Sequence, residues 1–333
     1  MTKKTASSRD VAREAGVSQA TVSYVLNNVP GAKIRPETRE AVLAAAKKMN
    51  YHPNIMARSM KMNKVYSIGV VSNKGLSSYA FMSVMDGIKD LLSQHNYSLT
   101  ICSNRYDNFE NAEFIQYYNS KRIDGIIFAY ANLTDGEIEF LFSNRIPFFA
   151  VHPAPESESA HIVKTSMRSA MLETIKHLRE RTNAPVTYIG QRAGDLNFSR
   201  YRAFYEAHQE LGAQSQLPCE PLRENSQAET WLERNFPRGN GLPAAIMCER
   251  ASLGCRLLRF CARWGLKVPE NHGIAAMGNS QFADISYPAL SAMEAPLREM
   301  GRQAADMLLH MINGVEFQDV IVLEWNFVRR ESC

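Results

Sequence analysis

Between residues 7 and 28 the chain reads SSRDVAREAGVSQATVSYVLNN, and its apolar positions fall into two short helical stripes. Val11, Ala12 and Ala15 form the first, and Val22, Val25 and Leu26 the second. Ser7 and Asp10 have the S-x-x-D spacing with which two side chains satisfy free N–H groups at a helix start. Gly16 stands where a left-handed helix end is suited, and Ser18 caps the second helix. A third stripe, Val42, Leu43, Ala46 and Met49, follows Pro36 and Glu37, a proline and a carboxylate suited to a first helical turn. Tyr51 and Pro53 end it, so a small three-helix head is expected over 1–53.

From Val65 the period changes. Short β-rich runs occur at 65–71, 98–102, 125–129, 147–151, 186–190, 244–248, 272–277 and 320–327. Amphipathic stretches lie between them at 81–94, 109–120, 168–180, 200–211, 250–264 and 297–312. This alternation predicts an α/β body with parallel sheets covered on both faces, and no short repeat interrupts it. A crossing into a second lobe is expected around residue 165.

Composition changes the picture only once it is divided. The 333 residues carry a net charge of +4 and 45% hydrophobic positions, enough for two or three domains with sizeable cores. Residues 1–64 hold 12 Lys and Arg against 4 Asp and Glu, and the remainder 26 against 30. A head of +8 is thus joined to a body of −4, which favours a polyanionic partner for the head alone. No signal segment or long apolar run is read, so a cytoplasmic protein without a membrane partner is expected. The six cysteines (Cys102, Cys219, Cys248, Cys255, Cys261, Cys333) form no C-x-x-C pair and suggest reduced thiols.

The outward positions of the second helix are Gln19, Ala20, Ser23, Tyr24 and Asn27. None is acidic and most can hydrogen-bond, as a helix in a DNA major groove requires. Enzyme constellations are missing: there is no G-x-S-x-G, H-E-x-x-H, G-x-x-x-x-G-K-[ST] or G-x-G-x-x-G, and no histidine pair has metal-ligand spacing. No enzyme, cofactor or metal is expected.

Three stretches, DVAREAGVSQATVSYVLNN, PETREAVLAAAKKMNYHPN and ARSMK, resemble the head of the lactose-repressor (LacI) family of bacterial regulators from Asp10 to Lys61, and more loosely to the terminal RRESC. The resemblance implies a helix-turn-helix head at 1–53, a hinge helix and linker at 54–64, and a two-lobed effector-binding and dimerisation domain at 65–333. That domain would have the type I periplasmic-binding-protein fold. Its N-lobe would span about 65–163 and 294–322, and its C-lobe about 164–293 and 323–333, with crossings near 162–165, 291–295 and 321–325. The implied protein is a homodimeric repressor of palindromic operator DNA, controlled by a small effector in the interlobe cleft. Because no heptad extension follows Arg330, a dimer is expected. By family position Gln19, Ala20 and Tyr24 face base edges, and Thr21, Ser23 and Asn27 lie nearer phosphates. Ser7, Ser18, Asn54, Ala57 and Arg58 complete the DNA-contact set, with Met60 as an apolar minor-groove wedge.

In the cleft the sequence departs from sugar-binding relatives. Ser166 and Met167 replace a D-N pair, Phe198 stands where a sugar-clamping arginine is usual, and Glu249-Arg250 replaces N-D. Asn279-Ser280 replaces D-D, and Ala295 replaces a glutamine. Phe81 keeps a family aromatic, and Tyr79 and Tyr130 add others. His152, Arg192 and Arg250 lie near strand ends and are candidate anion ligands or salt-bridge partners. Three readings stand: an effector other than a free sugar, a register slipped by one or two residues, or a regulator without small-molecule control. A solute-binding protein without DNA function is the alternative to a regulator. Few acceptors for sugar hydroxyls are expected, and hence no tight binding of common free mono- or disaccharides.

Overall fold

The computed structural model describes residues 6–26, 32–51, 64–131, 133–152, 161–190, 198–212 and 228–333, with backbone only at 198 and 199. The chain divides into a head, Met1–Val65, and a body, Tyr66–Cys333.

In the head, α1 (Ser8–Glu14), α2 (Gln19–Leu26) and α3 (Pro36–Lys48) enclose a core of Val11, Ala12, Val22, Val25, Val42, Ala45 and Ala46. Ser7 and Asp10 make the expected capping box, with the Asp10 carboxylate 2.9 Å from the Ser7 N–H. Gly16 adopts φ +65°, and the Ser18 hydroxyl accepts from the Thr21 N–H at 3.1 Å. Leu43, expected inside, is 48% exposed. The inward stripe of α3 runs Val42, Ala45, Ala46 and Met49, one position off the expected one, so Leu43 falls beyond its edge.

In the body the strands are β1 (Ser67–Val71), β2 (Ser98–Cys102), β3 (Gly125–Ala129), β4 (Phe148–Val151), β5 (Ile162–Ser166), β6 (Val186–Ile189), β7 (Ala245–Cys248), β8 (Gly273–Met277), β9 (Ser291–Glu294), β10 (Val320–Glu324) and β11 (Asn326–Val328). The first sheet has the order β10-β5-β4-β3-β1-β2 with every pairing parallel. The second has the order β11-β9-β8-β7-β6, parallel except for β11 against β9. Between the strands lie α4 (Tyr79–Gln94), α5 (Glu113–Asn119), α6 (Asp135–Ser143), α7 (Arg168–Thr182), α8 (Phe198–Glu210), α9 (Ala228–Asn235), α10 (Ala251–Arg263), α11 (Gln281–Ile285) and α12 (Leu297–Ile312).

Alternate strand residues serve opposite layers. Ile68, Val70, Ile127, Ala129, Phe149 and Val151 pack with α4 and α12, while Val71, Ile126, Phe128 and Phe148 pack with α5 and α6. The second sheet divides likewise between α9 and α10 on one face and α7 and α8 on the other. Both faces of each sheet are therefore buried, as parallel pairing requires.

The chain passes from the first sheet to the second after β5, returns after β9, and leaves again between β10 and β11. The run 320–327, expected as one strand, is two: it breaks at Trp325, whose N–H bonds the Ser166 carbonyl at 2.9 Å. Residues 164–166 and 323–324 thus lie in the first sheet.

The layer of α4 and α12 has no slack. A Cβ at Gly301 would overlap the carbonyl oxygen of Val84, and one at Gly87 that of Arg298. An exposed helical Gly→Ala change stabilises by up to about 1 kcal/mol. Here Gly301→Ala is expected to do the opposite, destabilising the body by about 1–3 kcal/mol as the helices are forced apart. The urea midpoint of the body's unfolding transition measures it.

Candidate functional site

The head's candidate surface is the outer face of α2. Gln19, Ala20, Ser23 and Tyr24 are exposed there, Tyr24 by 46%, while Val22 and Val25 anchor the helix from behind. Thr21 is half-buried and shares a 2.9 Å hydrogen bond with Ser18. Gln19 Nε2 donates to the Ser8 hydroxyl at 2.8 Å. Its amide thus has a protein partner that a base edge can replace, so it is held in place without DNA. Asn27, Asn54, Ala57, Arg58 and Met60 lie outside the described residues.

In the body, the carboxyl ends of the strands carry the candidate ligand groups. Tyr130 follows β3 and His152 follows β4, and both have left-handed backbones, at φ +58° and +47°. Their rings meet edge to face at 5.6 Å. A tyrosine in this region is strained by roughly 1–2 kcal/mol, a feature that collects at ligand sites. Burial pushes the Tyr130 phenol up to about 12, so it is a hydrogen-bond donor at neutral pH.

Opposite them, on the second sheet, Gly190 follows β6, Glu249 follows β7 and Gly278 follows β8. Glu249 is 1% exposed and holds Arg250 at 2.6 Å. Gly190 is needed because a Cβ there would run into the Glu249 side chain. Asn279 is also engaged: its Nδ2 donates to Glu294 at 2.9 Å and its Oδ1 accepts from Arg330 at 3.0 Å.

The structure adds a residue that sequence reasoning missed. Arg200, in the first turn of α8, sends Nη1 to the Glu249 carbonyl at 2.8 Å. Its Nη2 lies 3.9 Å from where a Cβ on Gly278 would stand. Its guanidinium carbon is 6.0 Å from the centre of the Trp325 ring. Burial pulls its pKa below the ordinary arginine value, with Glu249 opposing, and Tyr130 on the other lobe is close enough to contribute. The arginine expected at 198 therefore stands at 200, a slip of two residues in a stretch without fixed spacing.

Other expectations change. Phe81 is 1% exposed and belongs to the first-lobe core beside Val84 and Ile88, so it is a packing residue and not a ligand contact. Tyr79, two residues earlier on α4, is 51% exposed. Met167 precedes α7 and packs against the second-lobe core, as does Ala295. Ser166 spends its hydroxyl on the Arg168 N–H, at 3.4 Å. Ser280 keeps a buried hydroxyl without a partner among the described residues. Arg250 is a salt-bridge partner and not a waiting anion ligand. Arg192 and the Phe198 side chain lie outside the described residues. Among the described residues no cluster of His, Cys, Asp or Glu could hold a metal ion, and no helix is long and apolar enough to cross a membrane.

If the capping box orders α1, Ser7→Ala removes both of its hydroxyl contacts. A loss of about 1 kcal/mol in head stability is expected, read from the head's own thermal transition.

Comparison with known proteins follows the same division. Residues 9–54 match the bacterial regulatory proteins of the lacI family, and residues 175–333 match the periplasmic binding protein-like domain. The transcriptional regulator RegA of Clostridium acetobutylicum is 28% identical over 98% of this chain and 99% of its own. The repressor PurR of Haemophilus influenzae is 28% identical over 91% of this chain and 90% of its own. Among solved structures, the lac repressor dimer bound to operator and the anti-inducer ONPF aligns at TM-score 0.76 and 20% identity, covering 99% of both chains. The regulator CelR in complex with cellobiose aligns at TM-score 0.65 and 21% identity, covering 98% of this chain and 100% of its own. The helix-turn-helix head and two-sheet body, matched in order along the chain, make this protein a member of the LacI family of bacterial transcriptional regulators.

Proposed function

We propose that this chain is a cytoplasmic, homodimeric repressor that binds a palindromic operator and is released or engaged by a small effector held between the lobes of its body. The observation that carries the DNA half is the α2 face, exposed, uncharged and free of carboxylates, on a head of net charge +8. Two such helices related by a dyad fit successive major grooves. Full-length protein should shift its own upstream DNA in a gel assay, more weakly as salt rises, since lysine and arginine contacts to phosphate release counterions. Failure to prefer any palindrome over random duplex would overturn the reading.

The effector half rests on the groups that converge at the strand ends, Tyr130 from one lobe and Arg200 from the other. A ligand touching both favours one spacing of the lobes, and its differential affinity for that spacing is what can alter operator binding. The dimer is supported by Phe282, Ile285 and Tyr287 on and after α11, which are 55%, 74% and 91% exposed. Three neighbouring apolar side chains so exposed suit a self-complementary contact.

Two substitutions test the DNA contacts. Tyr24 cannot make the bidentate pair with guanine that an arginine makes. Tyr24→Arg should therefore move the preferred operator toward guanine at one base pair per half-site, worth about 1–3 kcal/mol. Operator selection from a random library reads this, and an unchanged preference at every position sinks the register. Met60→Ala should weaken operator binding and reduce DNA bending while the body remains folded and dimeric. Equal bending by both proteins in a permutation assay would count against the wedge.

A further inference from the structure

Charge bookkeeping at the carboxyl ends of the second sheet goes further than the presence of a cleft. Arg200 is drawn out of water, yet its described hydrogen bond is to a neutral carbonyl, that of Glu249. The carboxylate acting on it, again Glu249, is bonded to Arg250 at 2.6 Å and so is already neutralised. Arg250 in turn acts on Arg200 as a like charge. The site therefore holds one positive charge more than it holds negative ones among the described residues. Buried charges are ordinarily paired.

The hydrogen-bonding groups are unbalanced in the same direction. Acceptors are consumed: the Glu249 carboxylate by Arg250, and the Asn279 carbonyl by Arg330. Donors are left over. Arg200 presents further N–H groups, and the Tyr130 phenol stays protonated across the physiological range. The indole N–H of Trp325, whose ring flanks Arg200, is buried with no acceptor among the described residues. A neutral polyol, whose hydroxyls each need an acceptor as well as a donor, would leave hydroxyl hydrogens unmatched here. An oxyanion brings only acceptors and a negative charge, and a guanidinium matches it in a bidentate, planar arrangement.

We propose that the effector of this protein is anionic, and that its carboxylate or phosphate group is the counter-ion of Arg200, with the Tyr130 hydroxyl as a second donor. This rests on the reading that the interlobe cleft is the effector site. It makes Arg200 a specificity-determining group: the residue selects charge, and the aromatic pair of Tyr130 and His152 borders the remainder of the ligand.

The test uses full-length protein and begins with inorganic phosphate and acetate as probes, against chloride at equal ionic strength. At least one probe should raise the melting temperature of the body by about 2 °C or more. Arg200→Gln should abolish the rise, and Arg200→Lys should keep part of it. In chloride alone, Arg200→Gln should melt at or above the parent temperature, because it removes an uncompensated charge. A fall of about 4 °C or more would instead make Arg200 a structural tie and overturn the proposal, as would equal responses of parent and Arg200→Gln to both probes. Calorimetry then compares glucose 6-phosphate, gluconate and citrate with glucose. An anion binding at least tenfold more tightly than glucose, and at least tenfold more weakly to Arg200→Gln, supports the proposal and distinguishes a phosphate from a carboxylate source. Glucose binding as tightly as every anion and releasing the operator overturns the anionic class but leaves effector control standing. An anion that binds through Arg200 without changing operator affinity keeps the site and removes its regulatory role.

Discussion

The chain crosses between the two sheets three times, and neither sheet is complete without the last forty residues. The first sheet lacks an edge strand until β10 is made, and the second lacks one until β11 is made. The helix α12, which supplies Met300, Ala304, Ala305 and Leu308 to the first core, arrives only after four strands of the second sheet. Each lobe is therefore built from stretches distant in sequence, and folding must close long loops before either core is whole. The same connectivity makes the lobes a hinged pair. Three short crossings, tied where the Trp325 N–H meets the Ser166 carbonyl, let the lobes tilt without disturbing either sheet.

Much of this was legible in the residues. The first-sheet strands β1, β3 and β4 are continuous apolar runs, as strands buried on both faces must be, and each was placed within two residues. The strand β5 was not, because IVKTS mixes a lysine and two hydroxyls into its outer half, where burial lapses. The strand β9, SAME, is too short for any period to register. The helix α6 begins with a Thr134–Glu137 capping box, a signal available in the sequence and passed over. In the head, patterning and capping agreed at every turn except Leu43, and small domains leave little room for other solutions. In the cleft the reading was weakest. Ligand residues sit on loop ends and first helical turns, where no period fixes the register, so Arg200 was displaced by two positions and Phe81 was mistaken for a lining residue. Burial alone, which depends on neighbours far along the chain, separates Phe81 at 1% exposure from Tyr79 at 51%.

The two halves of the protein solve opposite electrostatic problems. The head gathers positive charge on its surface, where water screens it until DNA displaces the counterions, so charge adds affinity without straining the fold. In the body a single guanidinium is withdrawn from water without an equal and opposite partner, beside residues with left-handed backbones. Nothing in packing demands either feature. A hydrophobic side chain at 200 would sit comfortably beside Trp325, and a glycine at 130 or 152 would relieve the backbone. Stability conceded at one locus while every neighbouring core residue is well packed is the mark of a site kept for binding.

That concession also explains how a small ligand can act at a distance. A ligand shifts an equilibrium only by the difference between its affinities for the two states. A ligand gripping one lobe alone, however tightly, would have no such difference for lobe closure. Arg200 is rooted in the second lobe through the Glu249 carbonyl, whereas Tyr130 is held on the first by its N–H to the Val151 carbonyl at 3.0 Å. A molecule bonded to both gains its full interaction only at the spacing that brings them together. The hinge strands then transmit that spacing to the start of β1, where the Asp124 carboxylate fixes the Tyr66 N–H at 2.7 Å and the chain continues toward the head. The first body residue is thus clamped to the sheet itself, so a tilt of the lobe is carried into the linker and not lost in a slack joint.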